Sequence, residues 1–155
     1  MTAKSEPASE AAGREIVMTR IFDAPRDLVF EAWTDPRHVA QWWGPKGFTS
    51  TIDEMDVRPG GVWRLVLHGP DGVDYRNKIV FVEIVKPERL VYSHVSSPRF
   101  EMTVNFAEEG GKTRLTARMV FESAALRAKV AQKFGAVEGL YETLERLAEH
   151  LAKRG

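Results

Sequence analysis

The spacing of apolar residues changes period twice along this chain. From Glu15 to Asp23 (EIVMTRIFD), closely spaced β-branched residues predict a strand. Leu28, Val29, Ala32 and Trp33 then recur at steps of three or four, so residues 25–34 read as a short helix with one buried face. Pro25 suits a first helical turn, and Asp23 stands where it could cap. Asp35-Pro36 repeats the start signal for a second short helix over 36–43, which Gly44-Pro45 stops.

Beyond Lys46 the period falls to two. Strands are predicted over Phe48–Val57, Val62–His68, Tyr75–Val85, Leu90–Val95, Phe100–Phe106 and Thr113–Phe121. The runs Arg58-Pro59-Gly60-Gly61, Gly69-Pro70-Asp71-Gly72, Lys86-Pro87-Glu88-Arg89 and Glu108-Glu109-Gly110-Gly111 separate them as turns. Trp63, Leu65 and Leu67 share a face, as do Leu90, Tyr92 and His94, and Phe100, Met102, Val104 and Phe106. Consecutive strands joined by short turns make an antiparallel meander.

After Ser123, a plausible cap, the helical period returns from Ala124. Phe134, Val137, Leu140, Tyr141, Leu144, Leu147 and Leu151 form one stripe, so the C-terminal part reads as one long amphipathic helix with Gly135 and Gly139 inside it. The predicted class is α+β: a seven-stranded antiparallel sheet wrapped on a long C-terminal helix, with two short helices after the first strand. One helix is too narrow to fill such a sheet, so an internal cavity is expected. Residues 1–13 hold almost no apolar side chain larger than Ala and are expected to be a disordered tail; 14–153 form a single domain.

Composition narrows the partners. Lys plus Arg number 22 and Asp plus Glu number 22, so there is no basic excess to favour nucleic acid. Without cysteine, disulfides, thiolate nucleophiles and Cys-based metal sites are excluded together. The segment Met1–Gly13 has no apolar core of a signal peptide, and no apolar run approaches the roughly 20 residues that span a bilayer. A cytoplasmic monomer or homodimer that touches no membrane is expected.

Several stretches carry a family resemblance. The run FDAPRDLVFEAWTDPRHVAQWWGP (22–45) resembles the opening of the activator of heat-shock-protein-90 ATPase homologue-like proteins. These belong to the START-like, or SRPBCC, helix-grip superfamily with the polyketide cyclases and Bet v 1-like proteins. EMDVRPGGVW (54–63), EIVKPERLVY (83–92), EEGGKTRL (108–115) and GAVEGLYETLERLAEHL (135–151) fit the same pattern. Where many relatives have Trp after the helix glycine, this chain has Leu140. The resemblance implies a helix-grip fold with a hydrophobic cavity. It implies no single activity, because fold does not fix function.

The candidate chemistry is sparse. None of the four histidines has a His or carboxylate at a metal-binding step, so neither metal nor cofactor is expected. His38 and His150 read as exposed helix residues. His94 shares a face with Leu90 and Tyr92, and is either a cavity general base or, as the favoured reading, a strand-end histidine bonded to a neighbour. Trp42 and Trp43 diverge by about 100° on a helix, so either one packs in the core while the other faces the cavity mouth, or both serve the core. Tyr75, Asn77, Tyr92 and Glu101 could orient a ligand by hydrogen bonds, and Arg64 and Arg76 could pair with a carboxylate ligand, but the simpler expectation for each is the solvated sheet face. Tyr141 is the more favoured polar cavity group.

The leading expectation is binding of a small apolar or amphipathic molecule. Its lining would come from Trp42, Trp43, Met55, Trp63, Tyr75, Phe81, Tyr92, His94 and Met102 on the sheet side and short helices, and from Phe134, Val137, Leu140, Tyr141 and Leu144 on the long helix. A second expectation, from the resemblance, is a co-chaperone that binds a heat-shock-protein-90-type ATPase. A third is a cyclase or hydrolase using His94 or Tyr92 as acid or base.

Overall fold

The structure, a computed structural model, describes residues 13–154, without the side chains of Lys133, Phe134 and Arg154. Strand β1 (Glu15–Phe22) leads into helices α1 (Arg26–Thr34) and α2 (Pro36–Trp42). Six strands follow: β2 (Thr49–Met55), β3 (Val62–His68), β4 (Asp74–Val85), β5 (Arg89–His94), β6 (Phe100–Glu109) and β7 (Lys112–Phe121). Helices α3 (Ala124–Phe134) and α4 (Ala136–Arg154) end the chain.

All seven strands form one antiparallel sheet in the order β1-β7-β6-β5-β4-β3-β2. The meander runs through nearest neighbours, and the first strand pairs with the last. Its register carries one apolar row across the sheet: Phe81 stands opposite Tyr92, Tyr92 opposite Met102, and Met102 opposite Met119. These four side chains are buried, as are Trp63, Leu65 and Leu115 on the same side. Leu140, Leu144, Leu147 and Leu151 of α4 are buried as well.

Local chemistry explains two of the helix starts. Asp35 caps α2, accepting from the Arg37 backbone N–H at 2.9 Å, and Pro36 takes the first helical position. Ser123 caps α3, accepting from the Leu126 N–H at 3.1 Å. The expected cap Asp23 has no such role: the N-cap of α1 is Pro25, which has no side-chain hydrogen bond to give.

The single C-terminal helix must also be corrected to two. Gly135 adopts φ 60°, ψ 45° and ends α3, a left-handed conformation that glycine takes without a Cβ penalty. The apolar stripe hides this break because its spacing continues on either side. Residues 1–12 lie outside the described residues, so of the expected tail only Gly13 is described.

Candidate functional site

The inner sheet face and the helices leave a pocket of about 510 Å³. The sheet contributes Leu67, Tyr75, Asn77, Ile79, Tyr92 and His94, and the next strands add Phe100, Met102 and Met119. Trp33 comes from α1, and Leu140 and Thr143 from α4. The segment after α2 supplies Trp43, Gly44, Pro45 and Phe48.

That segment is held from the far side by one cation. Arg146 Nη1 donates to the carbonyls of Phe48 at 2.9 Å, Gly44 at 3.0 Å and Pro45 at 3.2 Å. Its Nη2 reaches the Gln41 carbonyl at 3.3 Å. Partial burial pushes the Arg146 pKa down, with Glu149 acting the other way. Gly44 itself has φ 107°, and a Cβ there would lie 2.9 Å from Leu67 Cδ2, so glycine lets the chain turn against the sheet.

The two adjacent tryptophans part company. Trp42 is fully buried and donates its indole N–H to the Ala32 carbonyl at 2.9 Å. Trp43 lines the pocket, with its ring centroid 4.7 Å from that of Trp63 and 5.8 Å from that of Trp33. An aromatic cluster therefore continues from the pocket wall into the core.

His94 is stacked on Phe100, with centroids 4.6 Å apart and planes 8° from parallel. Its Nδ1 faces the carbonyls of Pro98 at 2.8 Å and Ser96 at 3.0 Å, which makes it the protonated nitrogen. Its Nε2 lies 2.5 Å from the Asn77 side-chain oxygen. The Asn77 amide is thus held between His94 Nε2 on one side and the Tyr75 carbonyl, 3.0 Å from its nitrogen, on the other. Burial pushes the His94 pKa down, against the carbonyls of Pro98 and Ser96. With both ring nitrogens engaged inside the protein, His94 has no lone pair directed at a substrate.

Tyr92 is the opposite case. Its hydroxyl is buried without a hydrogen-bond partner, and so is the Trp33 indole N–H. Burial pushes the Tyr92 pKa well above its ordinary value, while the Trp33 indole acts the other way. The side chain stays a phenol, which makes it a donor and a poor base.

Of the sequence-derived lining, Trp43, Tyr75, Tyr92, His94, Met102 and Leu140 meet at this pocket. Trp42, Trp63, Phe81 and Leu144 do not line it; all four are core side chains with 1% exposure or less. Met55 is half-buried against the core and also lies off the pocket. Val137 and Tyr141 are 37% and 54% exposed, so Tyr141 is not a pocket group. The buried arc of α4 is turned toward Thr143 and His150, because α2 packs on that flank. The Phe134 side chain lies outside the described residues.

Tyr75, Asn77 and Tyr92 were expected on the solvated side unless they served a ligand, and all three line the pocket. Their strand phase gives the reason. Tyr75 and Asn77 alternate with exposed residues in step with Ile79 and Phe81, and pair with Leu67 and Leu65 on β3. Side-chain polarity obscured a face that period two assigns. Sequence reasoning also missed Trp33, Phe48, Phe100 and Met119; of these, Phe100 and Met119 were already in phase with inward neighbours.

His38 and His150 are the other correction: they are buried, at 6% and 7% exposure, and bonded to each other. Glu31, Asp35 and His38 bring three donor atoms within 4.8 Å of one another. Existing contacts account for much of this cluster. Asp35 Oδ1 caps α2 and its Oδ2 meets Arg37 Nη2 at 2.8 Å, a hydrogen bond that with the Arg37 charge holds the carboxyl down to about 2. His38 Nδ1 is committed to His150. Among the described residues, no helix is long and apolar enough to cross a membrane.

No curated protein matches the sequence. Solved structures do. A protein from Arthrobacter aurescens is 26% identical with a TM-score of 0.86, over 92% of this chain and 88% of that one. A protein from Nitrosomonas europaea is 24% identical with a TM-score of 0.82, over 92% and 97%. An AHSA1-like protein from Aeromonas hydrophila is 22% identical with a TM-score of 0.74, over 91% and 94%. The last two likenesses concern the fold alone, the helix-grip arrangement of the START-like proteins. Residues 23–152 match the family model described as Activator of Hsp90 ATPase homolog 1-like protein, and the chain belongs to that family.

Proposed function

We propose that this protein binds a small apolar or amphipathic molecule in the pocket between the sheet, α1, α4 and the segment after α2. The observation that carries this reading is a space of about 510 Å³ walled mainly by aromatic and aliphatic side chains. Volumes of this order suit small-molecule ligands. The engaged nitrogens of His94 and the neutral phenol of Tyr92 favour binding over turnover.

Trp43 is the natural reporter, because it is the partly exposed one of the two tryptophans that line the pocket; Trp33 is 1% exposed, and Trp42 and Trp63 are buried away from it. Titration with a panel of hydrophobic probes should change tryptophan emission in a saturable manner. Trp43→Phe should remove most of that change, and Met102→Trp should block binding by filling space. Probes that leave emission unchanged, together with native mass spectra free of any retained molecule, would overturn the reading.

The family description supports a second reading, docking onto an Hsp90-type ATPase. That function uses a surface and not the pocket. Capture of the ATPase that survives Met102→Trp would favour it.

A further inference from the structure

The pocket is apolar except for a small set of polar groups, and most of those are spent within the protein. His94 is bonded on both sides, Asn77 faces His94 and donates to the Tyr75 carbonyl at 3.0 Å, and Thr143 donates to the Gly139 carbonyl at 2.7 Å. Two groups are different. The Tyr92 hydroxyl and the Trp33 indole N–H belong to pocket-lining residues that are 1% exposed, and neither has a hydrogen-bond partner. One aromatic cluster holds both: Trp33 meets Trp43 at 5.8 Å between ring centroids, Trp43 meets Trp63 at 4.7 Å, and Trp63 meets Tyr92 at 5.8 Å.

An indole N–H only donates, and a phenol O–H in apolar surroundings seeks an acceptor. Leaving such donors buried and unmet carries the full desolvation penalty of each, so their persistence calls for an explanation. A ligand that brings an acceptor removes the penalty, and a pure hydrocarbon does not. The acceptor's charge follows from the walls. Among the described residues that line the pocket there is no Lys, Arg, Asp or Glu. A carboxylate or phosphate would be buried here without a counter-charge, which is costly.

On the reading that the pocket binds a small molecule, we propose that its inner end is a subsite for a neutral hydrogen-bond acceptor, such as a carbonyl, to which Tyr92 and Trp33 donate. The natural ligand class is then an apolar molecule with a ketone, ester or amide oxygen at its leading end. Free hydrocarbons and carboxylates are disfavoured by the same geometry.

The test uses three probes of one shape: 2-acetylnaphthalene, 2-ethylnaphthalene and 2-naphthoate, titrated calorimetrically into the full chain at neutral pH. The ketone should bind about tenfold more tightly than the hydrocarbon, the equivalent of one recovered hydrogen bond, and the carboxylate most weakly. Tyr92→Phe removes only the hydroxyl oxygen. It should shrink the preference for the ketone, leave the hydrocarbon affinity unchanged, and leave the melting temperature equal or higher. Equal affinity for ketone and hydrocarbon in the unmodified protein overturns the subsite while pocket binding stands, as does a ketone preference that Tyr92→Phe leaves undiminished. Tightest binding of the carboxylate overturns the neutral character. Failure of all three probes to bind overturns the subsite and the pocket reading together.

Discussion

His38 Nδ1 lies 2.9 Å from His150 Nε2, tying the second short helix to the C-terminal helix across 112 residues of sequence. The rings meet edge to face, with centroids 5.1 Å apart and planes 88° from parallel. One nitrogen must carry the proton and the other the lone pair, so the bond exists only while at least one ring is neutral. This pair locks α2, and with it the start of the pocket's closing segment, against α4.

The two rings should therefore behave as a unit in stability. His38→Leu takes from His150 a buried hydrogen bond and should cost about 1–3 kcal/mol. His150→Leu should cost a similar amount. The double variant should cost less than the sum of the two, because neither polar group is then stranded. Urea unfolding of the four proteins measures the coupling, and strict additivity would mean that the contact is energetically idle.

His94 gives the fold a pH dependence of determined sign. Burial lowers its pKa from the ordinary 6.5, so the unfolded chain binds a proton more readily than the native one. Its contribution to stability is complete above about 6.5 and is lost as pH falls from there toward the lower native value. Unfolding free energy measured between pH 8 and pH 5 should decline on the acid side. His94→Phe should decline less steeply. Matching slopes for the two proteins would show that His94 carries no part of it.

The glycines offer a contrast between a forbidden and a tolerated side chain. A Cβ at Gly61 would lie 1.9 Å from the Asp56 carbonyl oxygen, inside the turn that leads into β3. Gly61→Ala must displace backbone and should be among the most damaging single changes, costing more than about 3 kcal/mol. At Gly139, within α4, the nearest atom to a Cβ is Pro45 Cγ at 3.6 Å, an ordinary contact. Gly139→Ala should stabilise by about 0.5–1 kcal/mol through helix propensity. Melting temperatures that move in the same direction for both variants would contradict this account.

Period two made the sheet legible: Trp63, Leu65 and Leu67, and Phe100 through Phe106, point where alternation puts them. The candidate site was legible only where a residue's polarity agreed with its phase. Tyr75 and Asn77 share a face with Ile79, yet their chemistry argued for the outside. Contacts between distant segments left no local signal at all. Nothing near His38 announces His150, and nothing in the helical stripe marks Arg146 as the group that gathers the carbonyls after α2. The Gly135 break was hidden because a left-handed cap needs one glycine and leaves the apolar spacing nearly in step.

Arg146 provides the sharpest test of how the pocket mouth is held. Its guanidinium approaches carbonyls spread from Gln41 to Phe48, and Trp43, Gly44, Pro45 and Phe48 of that segment line the pocket. Hydrogen bonds to a charged donor contribute about 1.5–3 kcal/mol, and these carbonyls have a planar fork as their common partner. Arg146→Met keeps much of the apolar stem and removes the donors, so it should destabilise by about 2 kcal/mol. Arg146→Lys should recover only part of this, since an ammonium is a point charge that cannot span both edges of the fork. Released from α4, the segment should expose Trp43, shifting its emission to longer wavelength and increasing quenching by iodide before global unfolding. A variant that loses stability with Trp43 emission unchanged would mean that the arginine braces α4 alone, and that the segment holds its place through the contact of Trp43 with Trp63.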